Sequence, residues 1–186
     1  MNKTGQVTLT KFLQFCREIQ PEVQEDIQRF FEGVVFFPYD NELLLQAFLF
    51  LNINQLLPNC RRLLLFEKSP VDGKSTDRGK CDFVYLLENN HLLLIETKYI
   101  EVCSPGATER TRRNKHRKKV LEQVIELKSS FCQHWRIPSE LIQCAVFTTD
   151  SDLISRGKEL NIATHSITME QLEQWRKQQK LQLKNR

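Results

Sequence analysis

Two acidic residues and one lysine interrupt apolar segments near the middle of the chain. Asp82 enters one apolar run, Glu96 lies near the end of the next, and Lys98 follows two residues later. Because successive side chains of a β-strand point to opposite faces, Glu96 and Lys98 share one face and Thr97 points to the other. An unpaired charge is costly to bury, so acids inside apolar strands indicate a functional site.

The polar residues between the two runs predict a β-hairpin, and the length of its turn decides whether Asp82 joins the site. A two-residue turn at residues 89–90 would place Asp82 opposite Thr97. A three-residue turn at residues 88–90 would place it opposite Glu96. We expect the longer turn, because an asparagine at its end can adopt the left-handed conformation that such a turn needs. Opposed residues have Cβ atoms about 5 Å apart, close enough for two carboxylates to hold one cation.

The chemistry expected of these side chains is metal-dependent phosphodiester hydrolysis. Mg²⁺ and Mn²⁺ prefer oxygen ligands, and the carboxylates of Asp82 and Glu96 with the backbone carbonyl of Thr97 would supply them. Such a metal lowers the pKa of a bound water and stabilises charge on a phosphate. Lys98 would orient the attacking water and offset negative charge in the transition state.

A strongly basic run follows the hairpin. Seven of the ten residues from 110 to 119 are lysine or arginine, whereas the whole chain has a net charge of only +4. Lysine and arginine along a phosphate backbone give affinity that is independent of base sequence, so we expect nucleic acid as the partner. The side chains predicted to contact it are Arg110, Arg112, Arg113, Lys115, Arg117, Lys118 and Lys119.

The composition is that of a globular chain and indicates one domain over residues 1–186. The six cysteines and four histidines show no spacing typical of a zinc, iron–sulfur or disulfide site, which predicts a reduced, cytoplasmic protein. The N-terminus has no apolar signal segment, and no apolar run approaches the roughly 20 residues of a membrane span. We therefore expect no membrane association.

Apolar periodicity predicts an α/β fold with a mixed central sheet and helices on both faces. Residues 1–7 are expected to be unstructured and residues 34–38 extended. The expected helices start near Thr10, Pro21, Asp40, the end of the basic run, Asp152 and Thr168, and the expected strands cover residues 62–67, the hairpin, 141–148 and 162–165. Residues 1–38 would form a helical extension, residues 40–150 the core, and residues 151–186 a C-terminal βα extension.

Asp82, thirteen intervening residues and then Glu96-Thr97-Lys98 resemble the signature of the PD-(D/E)xK nuclease superfamily. That superfamily includes restriction endonucleases, Holliday-junction resolvases and RecB-like exonucleases. The predicted element order over residues 40–150 is similar to its αβββαβ core. The resemblance implies a restriction endonuclease-like fold, a Mg²⁺- or Mn²⁺-dependent nuclease, and most often a DNA endonuclease that works as a homodimer.

The resemblance carries over two further residues. Many members place an acid on the helix before the first core strand, where this chain has Glu42, with Glu67 as the runner-up. Some place a glutamine on the helix after the ExK strand, where this chain has Gln123. Glu42 could equally be a favourable acid in a first helical turn, and Gln123 a solvated helix residue. The RecB-like QxxxY pattern fails at Leu127, and Cys81 replaces the proline before the first acid.

Two other functions remain open from the sequence. An RNA endonuclease of the same fold would use the same acids, since phosphate contacts carry no base information. A catalytically silent nucleic-acid-binding module, or a subunit of a larger defence or mobile-element complex, would keep the fold without cutting. In that case the N-terminal helices would be the surface for the partner.

Overall fold

The computed structural model describes residues 3–20, 22, 24–73, 79–101 and 106–185. Its centre is a five-stranded sheet in which the strands lie in chain order. The strands are β1 (Cys60–Lys68), β2 (Cys81–Leu87), β3 (Leu92–Lys98), β4 (Ile142–Thr148) and β5 (Ala163–Ser166). The first three strands are antiparallel and the last two continue in parallel, so the predicted mixed sheet is confirmed.

Helices cover both faces of this sheet, as expected for an α/β fold. They are α1 (Lys3–Ile19), α2 (Gln24–Phe36), α3 (Asn41–Leu51), α4 (Ile53–Leu56), α5 (Ala107–Trp135), α6 (Asp152–Glu159) and α7 (Met169–Lys184). Buried residues of α2, α3 and α7 form one apolar core with the sheet, and residues of α1 and α5 pack on its other side. A third core joins α5 to α6.

Successive side chains of a strand point into the cores on opposite faces of the sheet, as the pleat requires. Phe83 and Tyr85 of β2 belong to the core formed with α2 and α3. Val84 and Leu86 belong to the core formed with α1 and α5. In β3, Leu94 points to the same side as Val84. By the same alternation, Asp82 and Glu96 at the strand ends emerge on the side of the sheet that α1 and α5 cover.

The N-terminal helices are longer than the sequence predicted. Helix α1 begins at Lys3 rather than near Thr10, because an established helix gains one backbone hydrogen bond for each residue added. Helix α2 continues past Gly33, so the predicted extended segment is wrong for residues 34–36. A helical glycine costs about 1 kcal/mol, whereas burying Val34 and Val35 stabilises the fold by about 1.5–3 kcal/mol each.

Two predicted helix caps are confirmed. The Asp40 side chain accepts a hydrogen bond from the Leu43 N–H at 2.6 Å and starts α3. Thr168 and Gln171 form a capping box at the start of α7. These caps fix where the two helices enter the apolar core.

The basic run lies within α5, which begins at Ala107, so the prediction that this helix starts at the end of the basic run is wrong. The described cysteines are all free thiols, and Cys103 lies outside the described residues. None of the described helices is long and apolar enough to cross a membrane.

Candidate active site

The hairpin between β2 and β3 has the longer of the two turns considered above. Phe83 lies opposite Ile95, and the ladder keeps this register to Leu86 and Leu92. The three residues 88–90 therefore form the turn. Asn90 has a φ of 61°, the left-handed conformation expected at its end. The predicted register is confirmed.

In this register the next residues outward from the paired ladder are Asp82 and Glu96. The Asp82 carboxylate is held by Thr97, whose backbone N–H and hydroxyl donate to the same oxygen at 2.7 and 2.6 Å. Burial raises the pKa of Asp82, the two hydrogen bonds from Thr97 lower it, and the Glu42 carboxylate raises it. The orientation of Asp82 is thus set by the residue between Glu96 and Lys98.

Glu96 is a buried carboxylate, only 9% exposed. Within the described part of the chain, no donor hydrogen-bonds it. Burial raises the pKa of Glu96 well above its ordinary value, and the neighbouring carboxylates of Asp82 and Glu42 raise it further. A buried acid that lacks a donor is costly, so this carboxylate is suited to a cation from outside the chain.

Helix α3 brings a third acid to the strand ends. Glu42 lies in the first turn of α3, and its Oε2 accepts hydrogen bonds from Lys98 Nζ at 2.6 Å and from the Tyr99 N–H at 3.2 Å. The two side chains of this ion pair are about one-third exposed. The structure therefore brings together Glu42 and Lys98, both of which the sequence singled out.

Glu67, the alternative to Glu42, has different partners. It forms an ion pair with Lys80 and accepts a hydrogen bond from Gln46 Nε2 at 3.1 Å. Lys80 also lowers the pKa of Asp82 and Glu96 by its positive charge. Sequence reasoning missed Lys80, although it lies two residues before Asp82.

Helix α5 forms the wall opposite Glu96 in a cleft of about 810 Å³. Gln123 and Lys119 line this cleft together with Glu96 and Lys80. The structure thus places Gln123, predicted from the resemblance, in the same cleft as Glu96. It also places one lysine of the basic run there.

His116 was not predicted as a site residue, but it lies close enough to Lys98 and Glu42 to respond to their charges. Burial lowers the pKa of His116, the positive charges of Lys98, Arg112 and Lys119 lower it further, and Glu42 raises it. The signal in the sequence is helical spacing, since residues 112, 116, 119 and 123 follow at intervals of three or four. We call these four residues the cleft-facing stripe, after Lys119 and Gln123, which line the cleft.

Arg117 differs from the other basic residues of α5 because it is buried, 7% exposed. Its Nε donates to Asp150 at 2.6 Å and its Nη2 to Asp152 at 2.7 Å. Hydrogen bonding to Asp150 is the main cause that raises the pKa of Arg117. A buried guanidinium whose donors are bonded to Asp150, Asp152 and Asn114 is not available to a phosphate. Arg117 therefore leaves the set predicted to contact nucleic acid. Of the others, Arg113 is partly exposed and the rest are exposed: Arg110, Arg112, Lys115, Lys118 and Lys119.

The described residues contain no cluster of three or more His, Cys, Asp or Glu side chains arranged to hold a metal ion. A hard divalent cation often uses only one or two protein carboxylates and completes its shell with water and phosphate oxygens. The adjacent carboxylates of Asp82 and Glu96 fit that smaller requirement. Glu42 is near both, but in this structure it is paired with Lys98.

No protein-family model matches the chain, and no curated protein matches it. Two solved structures resemble it. One is a complex of EndoMS with double-stranded DNA (9% identity, TM-score 0.45), matched over 68% of this chain and 44% of that chain. The other is a repair endonuclease from Pyrococcus abyssi (9% identity, TM-score 0.43), matched over 69% and 47%. The matched region thus spans less than half the length of either protein.

Proposed function

We propose that this protein is a metal-dependent phosphodiesterase of the PD-(D/E)xK type that cuts DNA internally. The observation that carries the proposal is the Glu96 carboxylate. It is buried beside Asp82, lacks a donor among the described residues, and lines a cleft to which helix α5 contributes Lys119 and Gln123. A protein gains nothing in stability from such a group, so we assign it to ligand binding.

The metal would be Mg²⁺ or Mn²⁺, held by Asp82 and Glu96 with the backbone carbonyl of Thr97. When bound, it would stabilise negative charge on the phosphate and lower the pKa of a water. Thr97 keeps the Asp82 carboxylate fixed through its N–H and hydroxyl. The protein therefore supplies an oriented carboxylate rather than a freely rotating one.

Lys98 would act on the water and the phosphate through its three N–H donors. Glu42 fixes the position of its ammonium group, with Nζ 2.6 Å from Oε2. From there, Lys98 can orient the attacking water and offset charge on the phosphate oxygens. Gln123, on the facing wall of the cleft, is placed to hydrogen-bond the water or the phosphate.

The substrate would be bound by its phosphates along α5. The contacts proposed are Lys119 within the cleft and the other basic residues that remain accessible on the helix: Arg110, Arg112, Arg113, Lys115 and Lys118. Such contacts give salt-dependent affinity with no base specificity. A homodimer would cut both strands of a duplex, whereas a monomer would nick one.

A plasmid-nicking assay with added Mn²⁺ tests the proposal. Glu96→Gln should abolish nicking, and Lys98→Ala should slow it by about 10²- to 10³-fold, the usual cost of losing one charge-stabilising donor. Glu88→Gln is the matched control, because Glu88 lies in the same hairpin but is exposed in its turn. Nicking that survives Glu96→Gln at the wild-type rate would refute the assignment.

A silent nucleic-acid-binding module is the second candidate, and one observation favours it. Asp82 is hydrogen-bonded by Thr97 and Lys98 is paired with Glu42, so both polar groups have partners without a metal. Calorimetric titration with Mn²⁺ separates the candidates. Salt-sensitive DNA binding without any Mn²⁺ binding would support the silent module. Replacing the plasmid with RNA in the nicking assay tests the RNA endonuclease.

A further inference from the structure

The two most exposed large apolar side chains in the described part of the chain lie together between α2 and α3. Phe37 is 81% exposed and Tyr39 is 89% exposed, whereas the next such residue, Leu181, is 64% exposed. The Phe37 ring lies 6.5 Å from the ring of Phe36, in a tilted arrangement. Exposed aromatic rings contribute little to folding, and clusters of them mark binding surfaces.

This aromatic segment lies at the edge of the candidate active site. Tyr39 precedes the helix cap Asp40 and is three residues before Glu42, which bonds Lys98 Nζ. Three residues span at most about 11 Å even when fully extended. A strand whose phosphate reached Lys98 would therefore have a neighbouring base within reach of Tyr39, with Phe37 two residues further along the chain.

The backbone on both sides of the aromatic segment is anchored. The Phe37 N–H donates to the Gly33 carbonyl at 3.0 Å, which ties it to the end of α2. Arg176 Nε of α7 donates to the Val35 carbonyl, also at 3.0 Å. On the other side, Asp40 caps α3 through the Leu43 N–H. The rings thus project from fixed backbone, and less conformational entropy would be lost when a ligand binds them.

The chemistry that suits two exposed rings beside a phosphodiester site is a flat unsaturated ring, that is, a nucleobase. Bases stack on aromatic side chains with little dependence on sequence, because every base has a π face. In a duplex those faces are already covered by neighbouring base pairs, so only unpaired bases can use the rings. The cleft-facing stripe of α5 brings positive charge near Lys98 to hold the phosphates of the same strand.

We propose that Phe37 and Tyr39 form a stacking platform for unpaired nucleobases, so that the substrate has unpaired bases next to the bond that is cut. This inference rests on the proposed function and narrows it to DNA with unpaired bases at the cut, which includes single strands, junctions, loops and the locally unwound segments of a supercoiled plasmid. It assigns the aromatic segment to substrate selection, with no part in the chemical step.

The test measures binding rather than cutting, in the Glu96→Gln background and without metal. Fluorescence anisotropy compares a labelled single strand of about 20 nucleotides, longer than the site size of most stacking platforms, with the duplex of the same sequence. Phe37→Leu with Tyr39→Leu keeps apolar side chains but removes the rings. We expect single-strand affinity to fall roughly 5- to 100-fold for each ring that stacks. Duplex affinity should change less than about twofold, since it depends on phosphate contacts.

Two controls make the result specific. Phe37→Trp with Tyr39→Phe restores two aromatic rings and should restore single-strand affinity. Leu181→Ala removes another exposed apolar side chain and should leave it unchanged. A strand that carries 2-aminopurine should lose fluorescence on binding the parent protein and keep it on binding the leucine variant, because quenching reports stacking itself.

Equal weakening of single strand and duplex, or no weakening of either, would overturn the inference, and the aromatic segment would then be assigned to a protein partner. The two proposals can fail separately. A protein that binds single strands through these rings but never cuts would refute only the nuclease. A protein that cuts plasmid while the leucine variant binds single strands normally would refute only the platform.

Discussion

Two groups of charged side chains lie beside helix α5, and they differ in whether their charges are paired. In the first, Arg117 donates to both oxygens of Asp150 and to Asp152, and Asp150 is only 2% exposed. In the second, the comparably buried Glu96 has no donor among the described residues, although Asp82 is next to it. One helix therefore borders a complete charge network and an incomplete one.

The comparison separates structural charges from functional ones. Removing a charge from water is costly in both places, and the first group recovers that cost through bidentate hydrogen bonds within the protein. The second group has no such bonds within the described residues, so its carboxylate depends on water in the cleft, on protonation or on a cation from outside. This difference, rather than burial alone, is our reason for placing the functional site at Glu96.

The largest expected effect comes from breaking the complete network. Arg117→Ala should lower the free energy of unfolding by about 3–5 kcal/mol, because Asp150 would stay buried without a partner. Urea denaturation measures the change, and Arg112→Ala, an exposed residue of the same helix, is the control. Arg117→Met combined with Asp150→Leu should recover most of the loss. A cost below about 1 kcal/mol for Arg117→Ala would show that the network is not structural.

Removing the charge of Glu96, in the second group, should change stability in the opposite direction. Glu96→Gln should raise the free energy of unfolding at neutral pH by about 1–3 kcal/mol in metal-free buffer, because it removes a buried charge that lacks a donor. The same denaturation experiment measures it. If Glu96→Gln destabilised the protein as Arg117→Ala does, Glu96 would belong to the structural charges.

The pH dependence sharpens this second prediction. Burial raises the folded-state pKa of Glu96 above the ordinary 4.5, so the folded protein holds its proton more tightly than the unfolded chain. The contribution of Glu96 to stability should therefore be most favourable at low pH and be lost as pH rises from about 4.5 through the folded-state pKa. The advantage of Glu96→Gln over wild type should grow over that window and vanish below it. Mn²⁺ should stabilise wild type but not Glu96→Gln, by linkage to the bound state.

The smallest effect concerns the cleft-facing stripe. Lys119→Ala should weaken DNA binding several-fold and make the slope of log affinity against log salt shallower by about 0.9, the value for one lost phosphate contact on duplex DNA. Lys177→Ala, an exposed lysine on α7, should leave the slope unchanged. An unchanged slope for Lys119→Ala would place the DNA elsewhere than this cleft.

The hairpin and its acids could be predicted from the sequence, because the residues that determine them lie close together in the chain. Strand alternation relates Glu96 to Lys98, and the type of one residue, Asn90, favoured the correct turn length. Glu42 could be located only through the family resemblance, since its contact with Lys98 joins residues 56 positions apart. What the sequence predicted best was therefore the part of the site that lies within one supersecondary unit.

The sequence could not show that Arg117 differs from its basic neighbours. Its partners Asp150 and Asp152 follow more than 30 residues later and meet it only when α5 packs against the end of β4. The extension of α2 past Gly33 has the same kind of cause, because burial of Val34 and Val35 outweighs local propensity. Lys80 and His116 were not predicted as site residues, because only the packing of the folded chain brings them near the acids.

The length of the exposed hairpin turn restricts how this protein can vary. Most surface turns accept an inserted residue at little cost. If the turn keeps its three-residue form, the side-chain period of two means that one residue inserted at positions 88–90 would turn Asp82 away from Glu96, whereas two would restore the pairing. The turn lies about 20 Å along the strand from the acids, at 3.4 Å per residue. Related chains that keep both this form of turn and the pairing of the two acids should therefore differ in the hairpin by even numbers of residues.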